Sequence, residues 1–394
     1  MTELYSRRSF LAGVLTAGML STTAGYFLTR REPITLTLAT GADPTGGRRL
    51  LITMWNELNP GARIEPIEVN SSTQDQFDKF SQTPADIYNL DVIHIPRFRE
   101  AKRIVAFTPR NDISLLPALR RVCERTGTDQ FWAVPFNADV GMLFRRVTDK
   151  NAAPEPTLKG VLAGPPGTLV GQLDTVGLQT DEAFVVNVLE HALAQDDAIL
   201  EPDGRLSLGL GQWREALAPL ADAIRRKAIR AEAGEADTVR AFQRSNLRYM
   251  RNWPVEFPAL DRAERAKPDT AEIRIGRLPT GILGGQSLAI AADTEHREEA
   301  ERAIHFLTDT PAQKLLATFG FAPTGVDAYI APEMVAAVPN LSVIRYAVEA
   351  SRPRPMLPKY AEFSRQFADH THAYLYQGEQ LTQRFVADMQ EALR

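Results

Sequence analysis

The sequence predicts an exported α/β protein of two domains, and three observations carry that reading. Segments with strand periodicity alternate with segments of helical periodicity through most of the chain. The 394 residues suffice for two domains of ordinary size. An adjacent arginine pair stands directly before an apolar run, in Ser6-Arg7-Arg8-Ser9-Phe10-Leu11 and on to Leu28.

That N-terminal pattern is the twin-arginine kind of export signal, an address read by a receptor. Ser21-Thr22-Thr23-Ala24 offers small residues for cleavage, without the strict small-x-small pattern. The run is also just long enough to cross a bilayer, so residues 1–31 read as either a signal or an N-terminal anchor. Either way, the chain from Glu32 onward is expected outside the cell, at the outer face of the cytoplasmic membrane or secreted. Cys123 is the single cysteine. It excludes an internal disulfide and any Cys-based metal or iron–sulfur site. Gly25 follows Thr22-Thr23-Ala24 where a lipoprotein would need a cysteine, so lipid anchoring there is excluded.

A hydrophobic share of 44% with 24% charged residues is that of a globular protein. The net charge of −4 and the absence of a basic stripe argue against nucleic acid, whose phosphates need clustered Lys and Arg. The densest basic spots, Arg225-Arg226-Lys227 and Arg352-Pro353-Arg354, read as solvated surface.

In chain order, Ile34 to Leu38 alternates as a half-buried strand, Gly41 to Gly47 is a loop, and Leu50 to Leu58 has helical spacing that Pro60-Gly61 stops. Ile64, Ile67 and Val69 read as a strand, Phe77 and Phe80 as a short helix, and Ile87 to Ile95 as a strongly apolar strand. Phe98, Ala101 and Ile104 begin a further helix. Phe131 to Phe136 and Val140 to Phe144 read as strands joined through Asn137-Ala138-Asp139, a crossing between domains. Residues 151–171, rich in Pro and Gly, read as irregular. Helices follow at Ala183–Ala194, Trp213–Lys227 and Asp237–Gln243, then strands at Leu247–Met250 and Ser287–Ala291. The last third is helical, at Glu298–Leu307, Ala312–Phe319, Val343–Ala350 and near Leu381–Leu393.

Catalytic signatures are absent: the chain has no Gly-x-Ser-x-Gly elbow, no His-Glu-x-x-His and no phosphate-binding Gly-x-x-x-x-Gly-Lys. His370 and His372 stand two apart in a helical stretch, on different faces, so no metal is expected there. Gly41 to Gly47 reads as a sharp turn or as an anion site at a helix start. Asp91, Asp139, Asp181 and Glu182 lie at strand ends and helix starts, where α/β proteins place their sites. As a group they read as hydrogen-bonding partners of a neutral polyol. No cofactor, metal or catalytic residue is assigned.

Several segments together resemble the extracellular solute-binding proteins of ATP-binding-cassette (ABC) importers, in the family of sugar binders that includes maltose and trehalose binders. They are Asp86-Ile-Tyr-Asn-Leu-Asp91-Val92, Trp132-Ala-Val-Pro-Phe-Asn137-Ala-Asp139-Val-Gly-Met-Leu-Phe, Met250-Arg-Asn-Trp253-Pro254 and Gly284-Gly-Gln-Ser-Leu-Ala-Ile290. Glu298 to Leu307, leading into Gln313 and Gly320-Phe-Ala-Pro323-Thr324, is similar to a fifth block. These blocks keep the family's order over almost the whole exported part.

The resemblance implies a two-lobed, periplasmic-binding-protein-like type II α/β fold, with discontinuous lobes joined by three hinge crossings. Lobe 1 would take residues 32–138 and 288–324, and lobe 2 residues 139–287 and 325–394. It further implies a non-enzymatic, monomeric receptor that binds a carbohydrate in an interlobe cleft and delivers it to the transmembrane subunits of an ABC permease. Such clefts mix aromatic faces for sugar C–H surfaces with side chains that pair hydroxyls. Trp253, Tyr360 and Trp132 are the candidate faces; core positions are the other reading for Trp253 and Tyr360. Asp43, Gln74, Asp91, Asn137, Asp139, Glu182 and Gln286, with Gly285 beside it, are the candidate polar contacts. Where relatives carry Tyr-Glu-Gly this chain has Asp181-Glu182-Ala183, and Gln286 stands where relatives can carry an aromatic. Both departures lean toward a more polar, amino or smaller sugar. The alternatives are an exported carbohydrate-active enzyme and a same-fold sensor of a non-sugar ligand.

Overall fold

The computed structural model describes residues 33–69, 73–110, 114–147, 157–174, 182–245, 247–267 and 271–394. The N-terminal segment read as a signal or anchor lies outside these, as does Asp181. Among the described residues no helix is long and apolar enough to cross a membrane. The strands are β1 (Ile34–Thr40), β2 (Ala62–Glu68), β3 (Ile87–Asp91), β4 (Ile104–Val105), β5 (Val134–Val140), β6 (Met142–Val147), β7 (Leu169–Gln172), β8 (Ile229–Glu232), β9 (Tyr249–Asn252), β10 (Glu272–Arg277), β11 (Ile282–Ala291) and β12 (Arg352–Pro353).

The chain divides into two compact units, passing between them inside β5 after Ala138 and inside β11 after Gly285, and again between Ser342 and Val343. The third passage differs from the sequence reading, which ends the first lobe at Thr324. The helices Val326–Ile330 and Pro332–Ala337 remain with the first unit. The first half of the helix Thr73–Gln82 is grouped with the second unit.

In the first unit, β1 pairs parallel with β2 and with β3, while β11 runs antiparallel to β3 with Gln286 opposite Asp91. The two parallel strands therefore end, at Thr40 and Asp91, where β11 enters this unit. The core is built as the alternation predicts. Leu36 and Leu38 of β1 and Leu288 and Ile290 of β11 pack with Leu51, Ile52 and Trp55 of the helix Gly47–Leu58 and with Ile304 and Leu307 of the helix Arg297–Thr308. Buried Gln313 ties two segments together: its Nε2 donates to the Phe136 carbonyl at 2.8 Å, and its Oε1 accepts from the Thr324 N–H at 2.6 Å.

The apolar strand predicted to Ile95 ends at Asp91 instead. The Asp91 carboxylate accepts the N–H of Ile93 and caps a 3-10 turn, Val92–His94. That turn runs into the helix Ile95–Glu100 with Pro96 in its first turn, so Ile104 falls in β4 rather than in a helix. Apolar content alone did not separate strand from buried helix here.

The second unit holds a sheet in the order β10-β6-β9-β7-β8, antiparallel between β10, β6 and β9 and parallel between β9, β7 and β8. The break between the two strands predicted around Asn137-Ala138-Asp139 falls instead at Gly141, because those three residues belong to β5. Part of the predicted irregular stretch is ordered: a short helix, Leu158–Leu162, opens where Thr157 accepts the Gly160 N–H, and β7 follows. The helix Glu182–Leu193 is buried along its whole length, as its nearly unbroken apolar sequence requires. Trp213 and the rings of Phe367 and Phe385 lie 5.5 and 5.7 Å apart, locking the helices Leu210–Arg225, Tyr360–Tyr376 and Gln383–Ala392 together.

Candidate functional site

In the first unit the polar side chains gather at the C-terminal ends of β1 and β3, the customary position for ligands in open α/β sheets. The centre is Gln286. Its Oε1 accepts from Arg48 Nη2 at 3.0 Å and from Asn89 Nδ2 at 2.9 Å. Asn89 also donates to Thr40 Oγ1 at 3.0 Å, and Arg48 Nη1 donates to the Gly41 carbonyl at 2.6 Å. The Arg48 guanidinium lies 5.9 Å from the centre of the Phe136 ring. Burial pulls the pKa of Arg48 down, while the charges of Asp43 and Glu68 work against that.

Asp43 is built into this corner as a cap. Its carboxylate accepts from the N–H groups of Thr45, Gly46 and Arg48 and from the Thr45 hydroxyl. Burial alone would raise its pKa, yet the Thr45 hydroxyl, the Arg48 charge and those backbone donors together hold it below the usual carboxylate range. The turn Gly41 to Gly47 does hold an anion at a helix start, and the anion is the chain's own aspartate. Gly46, at φ 79°, takes the left-handed conformation that lets the loop close on it.

Asp91 sits opposite Gln286 across the β3–β11 ladder. Asn137 is buried in β5, with its Oδ1 unpartnered among the described residues and its Nδ2 at the limit of hydrogen bonding to the Ala138 carbonyl. The Gln74 side chain lies outside the described residues. The Trp132 ring, half-buried, has the guanidinium groups of Arg99 and Arg125 each 5.7 Å from its centre.

The second unit brings Glu182 and Tyr360 together, against each other rather than toward open space. The Glu182 carboxylate accepts from Arg354 Nη1 at 2.7 Å, from the Tyr360 hydroxyl and from Ser364 Oγ at 2.7 Å. All four residues are buried. Arg354, expected as solvated surface, is only 3% exposed, a correction that follows from its ion pair with Glu182. Asp139 packs beside Gly284: a Cβ at 284 would lie 3.4 Å from that of Asp139. Gly285, next in β11, has φ 121°, a backbone conformation reserved for glycine.

Trp253 stands apart from these, half-buried at the end of β9. Its Nε1 donates to Glu235 Oε1 at 3.1 Å, and the Arg251 guanidinium lies 3.8 Å from the ring centre, a stacked cation–π contact. Arg251 is fully buried on the middle strand of its sheet. Its Nε donates to Glu190 Oε2 at 2.7 Å and its Nη1 to Gln172 Oε1 at 3.0 Å. Glu190 Oε1 accepts the Ile282 N–H at 3.2 Å, and Asn187 donates to Gln172 at 2.8 Å. Gly141 is required beside this network, because a Cβ there would come within 2.3 Å of Glu190 Oε1 and 2.7 Å of Arg251 Nη2. Sequence reasoning missed Arg48, Asn89, Glu190 and Arg251. The available signal was a polar residue interrupting an apolar segment, as in Ile87-Tyr-Asn89-Leu and Val188-Leu-Glu190-His191.

His191 makes the network acid-sensitive. Its Nδ1 donates to the Asn187 carbonyl at 2.7 Å, which leaves Nε2 as the buried, unpartnered lone pair. Burial, with the Arg251 charge assisting against the Asn187 contact, pulls its pKa down from 6.5 to about 4. The unfolded chain binds this proton below about pH 6.5, whereas the folded chain does so only near pH 4. Stability from this group is therefore complete above pH 6.5 and is lost as pH falls toward 4, by about 3 kcal/mol in all. Urea midpoints measured from pH 7.5 to 4 are expected to fall, and to fall less steeply in His191→Gln.

No family model matches the chain. A curated relative in Deinococcus radiodurans, a probable ABC transporter-binding protein, is 26% identical over 191 residues, and the match spans 45% of this chain and 45% of the relative's length. Solved structures match far more of it. The maltose-bound MalE3 of T. maritima covers 91% of this chain and 99% of its own, with a TM-score of 0.77 at 22% identity. The GacH receptor of Streptomyces glaucescens, solved unliganded and with acarbose, covers 92% and 98%, with a TM-score of 0.74 at 14% identity. An ABC solute-binding protein of Thermotoga lettingae bound to α-D-tagatose covers 92% and 100%, with a TM-score of 0.74 at 16% identity. The chain thus has the α/β fold, in two units, of the ABC solute-binding proteins.

Proposed function

We propose that the chain is the solute-binding protein of an ABC importer, non-enzymatic, which binds a carbohydrate and hands it to the transmembrane subunits of a permease. The observation that carries this reading is the match over nine-tenths of the chain to structures described with maltose, acarbose and tagatose. The polar mouth at the strand ends of the first unit suits such a ligand. It offers Asp91, Asn137 and Gln286 at one edge, without an aromatic at position 286. Within the second unit, taken by itself, Asp139 and the Trp253 ring are the proposed ligand contacts. Glu182 and Tyr360 act from behind, as a buried brace, since their polar atoms are engaged with each other, Arg354 and Ser364. The protein works outside the cell, sent there by the twin-arginine segment at Ser6–Leu11, and carries no lipid.

A thermal-shift screen of the purified protein over sugars, amino sugars and polyols tests the reading. A specific ligand at a hundredfold excess over its dissociation constant adds about 2.7 kcal/mol of stability. A response to acidic or peptide ligands with none to any sugar or polyol would overturn the carbohydrate assignment. Turnover of an oligosaccharide would assign the chain to the exported enzymes instead.

A further inference from the structure

We infer that Arg48 and Asn89 fix the Gln286 amide as an outward-facing hydrogen-bond donor for a ligand oxygen, with Arg48 as the positioning residue. This rests on the carbohydrate-binding reading above. An amide side chain has two ends of similar shape, and a crossing strand alone would let it point either way. Here the choice is removed. Arg48 Nη2, 3.0 Å away, can only donate, so the end facing it must be the carbonyl oxygen, and that oxygen in turn accepts from Asn89 Nδ2 at 2.9 Å. Arg48 has no acceptor to offer, and Asn89 spends a second amide hydrogen on Thr40 Oγ1.

The Gln286 Nε2 is consequently turned the other way. Among the described residues it has no hydrogen-bond partner, and a Cβ added at Gly41 would stand 4.0 Å from it. Gly41 in turn is held by Arg48 through its carbonyl. One buried guanidinium therefore sets both the direction of the donor and the position of the backbone beside it. The half-buried N–H pair takes an oxygen acceptor, and a ring oxygen, or a hydroxyl whose own hydrogen is spent elsewhere, supplies one; a ligand group that only donates would be refused. Arg48 lies behind Gln286 and acts through it.

Gln286→Glu separates this role from simple packing. The substitution is nearly isosteric. One carboxylate oxygen still accepts from Arg48 and Asn89, with a charge added opposite the guanidinium, and the outward end becomes an acceptor. The expected result is a melting temperature equal to or above that of the wild type, with affinity for the sugar or polyol found in the thermal-shift screen reduced at least tenfold by calorimetry. Stability and binding moving apart is an outcome that a merely structural glutamine would not give. Arg48→Met, which frees the amide to turn, is expected to weaken binding as well, with Arg48→Lys recovering part of the loss. Unchanged affinity in Gln286→Glu, in a protein whose wild type binds a sugar, would overturn the inference and leave the function standing. A wild type that binds no sugar or polyol would instead overturn the function on which the inference rests.

Discussion

Glu190→Ala is expected to remove about 3–5 kcal/mol of stability, a large part of the roughly 5–15 kcal/mol that holds a domain folded. The reason is what stays behind. Arg251 is wholly buried on the middle strand of its sheet, and Glu190 is its only carboxylate within ion-pair distance among the described residues. Truncation leaves that guanidinium without its 2.7 Å partner and leaves the Ile282 N–H without its acceptor. A lost backbone hydrogen bond costs about 1 kcal/mol, and an uncompensated buried charge several times more, so the charge decides the outcome. Glu190→Gln tests that ranking. It retains nearly all the volume and an oxygen for Arg251, but not the charge, and should cost most of what Ala costs. Replacing both partners, Glu190→Met with Arg251→Met, should recover much of the loss, because it removes the charge together with its counter-charge. Urea unfolding of the three variants checks this. If Glu190→Ala cost less than about 1 kcal/mol, the pair would not be a buried, mutually dependent unit.

The same pair shows where the sequence was legible and where it was not. Elements whose burial follows their own period were readable: the alternation in Ile34–Leu38, the helical spacing of Leu50 to Leu58 and the apolar run from Ala183 all appear where the pattern places them. Asp43, Asp91 and Gln286 were legible as polar residues at strand ends, although Asp43 turned out to serve its own loop. Contacts between distant residues were not readable. Glu190 and Arg251 lie 61 positions apart, and Arg48 reaches Gln286 across 238. No period links them, and only the fold supplies the distance. Arg354 illustrates the reverse error. Between Pro353 and Pro355 it looks like surface, yet Glu182, 172 residues earlier, draws it inside. The strand break at Gly141 was also invisible locally, since the carboxylate and guanidinium that exclude a Cβ come from a helix and from another strand.

Trp253→Ala is expected to weaken sugar binding by a factor of about 10–100 while costing comparatively little stability. The ring is half-buried and already fixed: Arg251 covers it at 3.8 Å, and Glu235 holds its Nε1. Among the described residues no second ring or cation stacks on it. Under the proposed function, the C–H surface of a sugar packs on the face turned away from Arg251. Covering about 100 Å² of apolar surface there contributes about 2.5 kcal/mol, which sets the upper part of the expected range. Truncation in the free protein forfeits a cation–π contact of about 1–2 kcal/mol and one hydrogen bond, without opening a sealed cavity. Trp253→Phe keeps a flat face and loses only the Glu235 contact, so it should bind within several-fold of the wild type. Calorimetry gives a second reading of the same event. Less apolar burial on binding makes the heat-capacity change of Trp253→Ala less negative, whereas a loss confined to polar contacts would leave that change nearly untouched. Wild-type affinity in Trp253→Ala would mean that the indole serves its own unit alone, as a lid on Arg251, and that the ligand rests entirely on hydrogen bonds.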